Sequence, residues 1–193
     1  MNGSIAPHPI FPDVRLLSLP HFEDDRGFMS RIYDRDIFNK ENIVCDFVQT
    51  SHSHTGKAGV LRGIFVSLPP FRESKVVRIL NGRMQWVLVD LRLGSSSFGR
   101  WGEVVLDGRE RNGFFAPAGF AHGCLCLQDS TDLILLADHP FSPQHSTGIR
   151  WDDPALSLGW RLEEAGALQI SSAHSAYPSF EETRQLLERT YLD

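Results

Sequence analysis

His52 and His54 stand two residues apart in Ser51-His52-Ser53-His54, so a strand through them presents both imidazoles on one face. Imidazoles exchange protons near neutral pH, and such a pair joined by a later histidine can also hold a transition metal. His122, at the end of Pro117-Ala118-Gly119-Phe120-Ala121-His122, is a third candidate for proton transfer. Cations also occur in apolar surroundings. Arg62 lies between Leu61 and Ile64, and Lys75 and Arg78 flank Val76-Val77. If they face inward they need partners.

The chain around these groups has 193 residues, 41% apolar and 22% charged, with a formal net charge of −5. That length allows one domain with a substantial core. The negative balance disfavours a nucleic-acid partner, which would need a basic face. No apolar run is long enough to cross a bilayer, and residues 1–12 lack the basic head and apolar stretch of a secretory signal. A cytoplasmic protein without a membrane partner is expected. Cys45, Cys124 and Cys126 offer no disulfide framework. Cys124 and Cys126 would share a strand face as small buried hydrophobes.

The elements that position these residues are mostly strands. Period-two patterning and β-branched or aromatic runs predict strands at 46–53, 60–67, 75–80, 83–91, 101–106, 112–116, 123–127 and 132–137. Asn81-Gly82 predicts a tight hairpin between two of them. Helices are expected near the ends, at 34–41 and from the capping box Ser179-Phe180-Glu181-Glu182 through Tyr191. Phe180, Leu187 and Tyr191 would share one face of the latter. The fold class is all-β, a barrel or two-sheet jelly roll with short N-terminal and C-terminal helices. The expected organisation is one domain over 1–193, with a core at 22–160 and a helical extension at 161–193.

Seven further segments, in order, sharpen this reading. Gly59-Val60-Leu61-Arg62-Gly63-Ile64-Phe65 resembles the G-V-L-R-G-L-H strand of the dTDP-4-dehydrorhamnose 3,5-epimerase family. Asp24-Asp25-Arg26-Gly27-Phe28 is similar to its D-x-R-G-x element, and Phe47-Val48-Gln49 with Ser51-His52-Ser53 to F-x-Q-x-N-x-S, with Ser51 replacing asparagine. Lys75-Val76-Val77-Arg78 resembles K-L-V-R, and Val89-Asp90-Leu91-Arg92 followed by Ser96-Ser97-Phe98-Gly99-Arg100-Trp101 resembles V-D-L-R and S-P-T-F-G-x-W. Pro117-Ala118-Gly119-Phe120-Ala121-His122-Gly123 matches P-x-G-F-A-H-G, and Gly148-Ile149-Arg150-Trp151-Asp152-Asp153-Pro154 matches G-I-R-W-D-D-P.

The resemblance implies a cupin-type jelly roll, a homodimer, and a nucleotide-diphosphate sugar (a dTDP-sugar or similar) inside the barrel. It implies substrate contacts at Arg26, Gln49, Ser51, Arg62, Lys75 and His122. It also implies a histidine base oriented by an aspartate, with a tyrosine acid across the sugar. Here the histidine position is Phe65, the tyrosine position falls on Leu135 or Phe141, and the aspartate position falls on His174. Epimerisation beside a ketone needs a base, an acid and a stabilised enolate. The expected function is therefore an epimerase- or isomerase-like enzyme acting on a nucleotide-linked keto-deoxysugar with a non-standard acid–base set. His122 and the His52/His54 pair are its catalytic candidates, and no cofactor is expected. Two alternatives stand beside it. One is a nucleotide-sugar-binding protein without turnover. The other is a metal-dependent cupin using His52, His54 and His122, although residues 55–60 lack the carboxylate such sites use. No metal ligand is assigned.

Overall fold

The computed structural model describes residues 3–190. Strands β1 (Ser4–Pro7), β2 (Arg15–Ser18), β3 (His21–Asp24) and β4 (Gly27–Ser30) precede helix α1 (Arg35–Lys40). Then follow β5 (Gln49–Thr55), β6 (Val60–Ser67), β7 (Lys75–Asn81), β8 (Arg83–Asp90), β9 (Trp101–Asp107), β10 (Gly113–Ala116), β11 (Phe120–Cys126), β12 (Thr131–Ala137) and β13 (Ser146–Gly148). The C-terminal part holds α2 (Leu162–Ala165), β14 (Gln169–Ile170), α3 (Ser172–Ser175) and α4 (Phe180–Thr190).

Two sheets face each other. One runs β1-β2-β10-β7-β12-β5; the other runs β13-β6-β11-β8-β9, with β14 beside β6. Period-two patterning decides what lies between them. Val77 and Ile79 of β7, Met84, Trp86 and Leu88 of β8, Cys124 and Cys126 of β11, and Leu133 of β12 fill the shared core. The alternate residues face outward under flanking segments. Val76 and Leu136 pack with Phe38 of α1, while Ile64, Val66, Val87 and Ala121 pack with Leu187 of α4. Each fully buried aliphatic or aromatic side chain contributes about 1.5–3 kcal/mol, so both outer layers add to the stability of the sandwich.

Both helix predictions have local causes. The Asp34 carboxylate accepts from the backbone N–H groups of Asp36 and Ile37 and starts α1. At α4, Glu182 accepts from the Ser179 backbone N–H at 2.8 Å while Ser179 Oγ accepts from the Glu182 N–H at 3.3 Å, a reciprocal capping box. Leu187 is buried and Phe180 packs beside it; Tyr191 lies outside the described residues. Thr183 ties α4 to the barrel by donating to the Gly148 carbonyl at 2.8 Å.

The expected Asn81-Gly82 hairpin does not form. β7 and β8 belong to different sheets, so the dipeptide carries the chain from one sheet to the other. Of the two residues only Gly82 has positive φ, at 83°, whereas a type I′ hairpin turn requires it at both. A Cβ on Gly82 would lie 2.1 Å from Thr131 Oγ1, so close approach also requires glycine there. The Val89-Asp90-Leu91-Arg92 segment is likewise a structural device. Burial acts to raise the Asp90 pKa, but donors from Arg92, Ser97 and Ser95 outweigh it and hold the value at about 2.

Candidate active site in the barrel

Along β6 the side chains of Val60, Arg62, Phe65 and Ser67 face inward while Leu61, Ile64 and Val66 face outward. Opposite them, Lys75 of β7, Leu133 and Leu135 of β12 and Ser53 of β5 line the same space. His122 and Cys124 of β11, Trp86 of β8, Glu73, Phe141 and Ser146 complete a cavity of roughly 250 Å³. A recess opening from it is lined by Gln49, Ser51, Glu73, Lys75, Leu135, Ala137 and Phe141. Arg62, Lys75 and His122 therefore line the cavity, and Gln49 and Ser51 line the recess, which shares Glu73, Lys75, Leu135 and Phe141 with it.

A chain of polar groups crosses the cavity wall. The Lys75 ammonium donates to Glu73 Oε1 at 2.6 Å and sits 3.2 Å from His122 Nε2. Since Lys75 has only donors, Nε2 accepts, and the other ring nitrogen of the neutral imidazole carries its proton. Burial first, and the Lys75 charge second, push the His122 pKa well below its usual value. His122 is thus a neutral imidazole that orients Lys75. Arg62 Nη1 donates to Thr55 Oγ1 at 2.6 Å. Arg62 also borders an outer cleft lined by Val60, Leu61, Gln169, Ile170, Ser171 and His174. Burial pushes the Cys124 thiol up to about 12, which leaves it protonated and unreactive near neutral pH.

The substituted positions also converge. Phe65 pairs with His122 across β6 and β11, and its ring packs against His174 at a centroid distance of 4.8 Å and Tyr177 at 5.9 Å. β14 and α3 bring His174 there, with β14 pairing in parallel to β6 through Gln169–Val60 and Ile170–Leu61. Gly148 permits the Tyr177 ring to approach, because a Cβ at 148 would meet it at 2.5 Å. Burial first and Arg62 second lower the His174 pKa, so this imidazole too is neutral. Leu135 lies inside the cavity, and Phe141 stands at its mouth, 59% exposed, with its backbone N–H donating to Gln49 Oε1 at 2.8 Å.

Three expected site residues lie elsewhere. His52 and His54 have the opposite parity to Gln49, Ser51 and Ser53, so β5 turns them to its outer face. There His52 Nε2 and His54 Nδ1 both bond Asp132 Oδ1 at 2.9 Å. The triad of the metal reading does not assemble, and among the described residues no group of three or more His, Cys, Asp or Glu is placed to hold a metal ion. Arg26 sits on the β3–β4 hairpin, 89% exposed and paired with Asp24 at 2.5 Å, away from the cavity of this chain. Sequence reasoning missed Glu73 and Trp86. Glu73 lies two residues before Lys75, and Trp86 shares parity with the core residues Met84 and Leu88.

Comparison with known proteins decides the family. The dTDP-4-dehydrorhamnose 3,5-epimerase family model matches residues 9–182. The chain belongs to the dTDP-4-dehydrorhamnose 3,5-epimerase family. Its relatives include the Sinorhizobium fredii dTDP-4-dehydrorhamnose 3,5-epimerase, 32% identical over 167 residues that cover 86% of this chain and 85% of the relative. Among solved structures, the Mycobacterium tuberculosis rmlC epimerase superposes with a TM-score of 0.88 at 31% identity, covering 98% of this chain and 96% of that one. The Legionella pneumophila dTDP-6-deoxy-D-glucose-3,5-epimerase, in complex with dTDP-4-keto-L-rhamnose, gives a TM-score of 0.87 at 29% identity and covers 93% and 94%. The two facing sheets are thus the cupin-type jelly roll of this epimerase family. Among the described residues no helix is long and apolar enough to cross a membrane.

Proposed function

We propose that this chain is an isomerase-class enzyme that takes a dTDP-linked 4-keto-deoxyhexose into the barrel and acts on it without the family's histidine–tyrosine pair. The observation that carries this reading is the Lys75 ammonium, fixed between Glu73 and His122 in a cavity where Phe65 and Leu135 offer no proton. A ketone oxygen placed at Lys75 Nζ receives a charge-assisted hydrogen bond that strengthens as the enolate forms. The wall of Phe65, Trp86, Leu133 and Leu135 excludes water and strengthens that contact. The diphosphate pairs with Arg62, and Gln49 and Ser51 contribute neutral contacts from the recess.

Arg26 reaches a diphosphate only from a second copy of the chain. Supporting a homodimer are the exposed Phe22, Phe28 and Met29 around it on the hairpin, a set of apolar side chains that association would cover. The ligand of the Legionella pneumophila relative supports the substrate class.

The reading is tested by incubating the protein with a dTDP-linked 4-keto-6-deoxyhexose in deuterated water and following each ring position by NMR. Exchange beside the ketone without double inversion supports it. A second reading, nucleotide-sugar binding without turnover, draws on the packing of Phe65 against His174 and Tyr177. It predicts binding with no exchange at any carbon.

A further inference from the structure

Glu73 is the one carboxylate among the described side chains that line the cavity and its recess. Its side chain is 10% exposed. Oε1 accepts from Lys75 at 2.6 Å and from Ser67 Oγ at 3.4 Å, while Oε2 accepts no hydrogen bond among the described residues. A lining carboxylate with a free oxygen beside a fixed ammonium can remove a proton that the ammonium has helped to acidify.

The other lining groups do not serve as a base. His122 uses the lone pair of Nε2 to accept from Lys75, and its other ring nitrogen carries the proton. Lys75 and Arg62 are cations, the Cys124 thiol stays protonated, and Phe65 and Leu135 have no site for a proton. His174 packs behind the Phe65 ring and does not line the cavity.

The geometry points to Glu73 as the general base, with Oε2 removing the proton on the carbon next to the keto group while Lys75 Nζ holds the keto oxygen. This assignment rests on the keto-sugar reading above. In the step, the C–H bond breaks and its proton goes to Glu73 Oε2. The C–H electron pair becomes the enolate carbon–carbon double bond, and the carbonyl π pair moves onto the oxygen held by Lys75. Exchange of that proton with solvent, followed by transfer of a solvent-derived proton from Glu73 to carbon, restores the carboxylate and labels the ring position. No oxidant, reductant or metal enters the balance.

The test compares the wild-type protein, Glu73→Gln and Glu73→Asp by calorimetry with a dTDP-linked 4-keto-6-deoxyhexose and by deuterium exchange into its ring. Glu73→Gln keeps an acceptor for Lys75 but no base, so exchange should fall by about 10²–10⁴-fold, the usual contribution of a general base. Affinity for the nucleotide sugar should stay within about threefold, because the Lys75 contact survives. Glu73→Asp keeps the carboxylate and should retain measurable exchange even if Glu73→Gln folds poorly. Wild-type exchange rates in Glu73→Gln would overturn the assignment, and so would wild-type binding without any exchange. A wild-type protein that binds no nucleotide sugar would instead remove the keto-sugar reading, and the assignment with it.

Discussion

Phe65 and His174 meet edge to face, with ring centroids 4.8 Å apart and planes at 90°. They occupy the positions where the family resemblance places the base and its orienting aspartate. The two substituted positions are therefore spatial neighbours, and both have become part of an aromatic cluster with Tyr177. The resemblance places the tyrosine acid at Leu135 or Phe141, both of which line the cavity and neither of which carries a phenol.

Restoring one member of that set should not restore the reaction. Phe65→His is expected to give no rhamno-configured product by NMR, because His174 cannot act as a carboxylate and neither Leu135 nor Phe141 can donate a proton. The variant should also lose about 1–3 kcal/mol of stability in urea denaturation, since an imidazole placed against the aromatic cluster lacks hydrogen-bond partners there. Joint replacement Phe65→His, Leu135→Tyr and His174→Asp should yield measurable epimerisation.

The His52/His54 pair should be dispensable. Both side chains are more than half exposed and share one carboxylate on the outer face of β5. The double change His52→Ala and His54→Ala is expected to leave nucleotide-sugar affinity and deuterium exchange within about twofold, and to cost at most about 1 kcal/mol of stability. Metal content by elemental analysis should not change. A tenfold loss of exchange would contradict this placement.

Arg62 is expected to matter through binding. Losing its charge-assisted bonds to a diphosphate should cost about 1.5–3 kcal/mol, equivalent to roughly 10- to 100-fold weaker dTDP binding for Arg62→Ala. Calorimetry with dTDP checks this. Unchanged affinity would move the diphosphate elsewhere.

Stability should fall on mild acidification. His122 titrates near 6.5 when unfolded but well below that when buried, so below pH 6.5 the unfolded chain binds more protons than the folded one. The stability that the neutral imidazole supplies is complete above pH 6.5 and is lost as pH falls toward its folded value, at no more than about 1.4 kcal/mol per pH unit. His174 shifts in the same direction. Asp90, whose pKa drops from 3.8 to about 2, adds its loss only below pH 3.8. Denaturant titrations at pH 7, 6 and 5 should show the decline, and His122→Asn should flatten it.

Strand patterning made much of this molecule legible from sequence. The run 60–67 alternates on each side of Gly63, but strict alternation would set Arg62 and Phe65 on opposite faces. A register shift against β11, with Gly63 at a φ of 94°, brings both to the cavity side, and the pattern alone does not reveal it. The same rule, applied strictly to β5, separates His52 and His54 from Gln49 and Ser51. A period of two cannot turn both sets toward one cavity. Asn81-Gly82 misled because a hairpin turn and a crossover between sheets can use the same dipeptide, and only partners distant in sequence decide which forms. Glu73 escaped notice because it lies just before β7, outside any strand pattern, where only the folded path brings it to Lys75. His174 was reachable only through the resemblance. Its place behind Phe65 depends on β14 pairing with β6, a contact that local sequence does not encode.

The most direct test of a cavity that retains its nucleotide-sugar chemistry without the standard acid–base set is ring-by-ring deuterium incorporation from a dTDP-linked 4-keto-6-deoxyhexose in deuterated water. Binding of the nucleotide sugar, with exchange that does not extend to both C3 and C5 and no rhamno-configured product, is the predicted result. Incorporation at both carbons, together with formation of that product at a normal enzymatic rate, would contradict it.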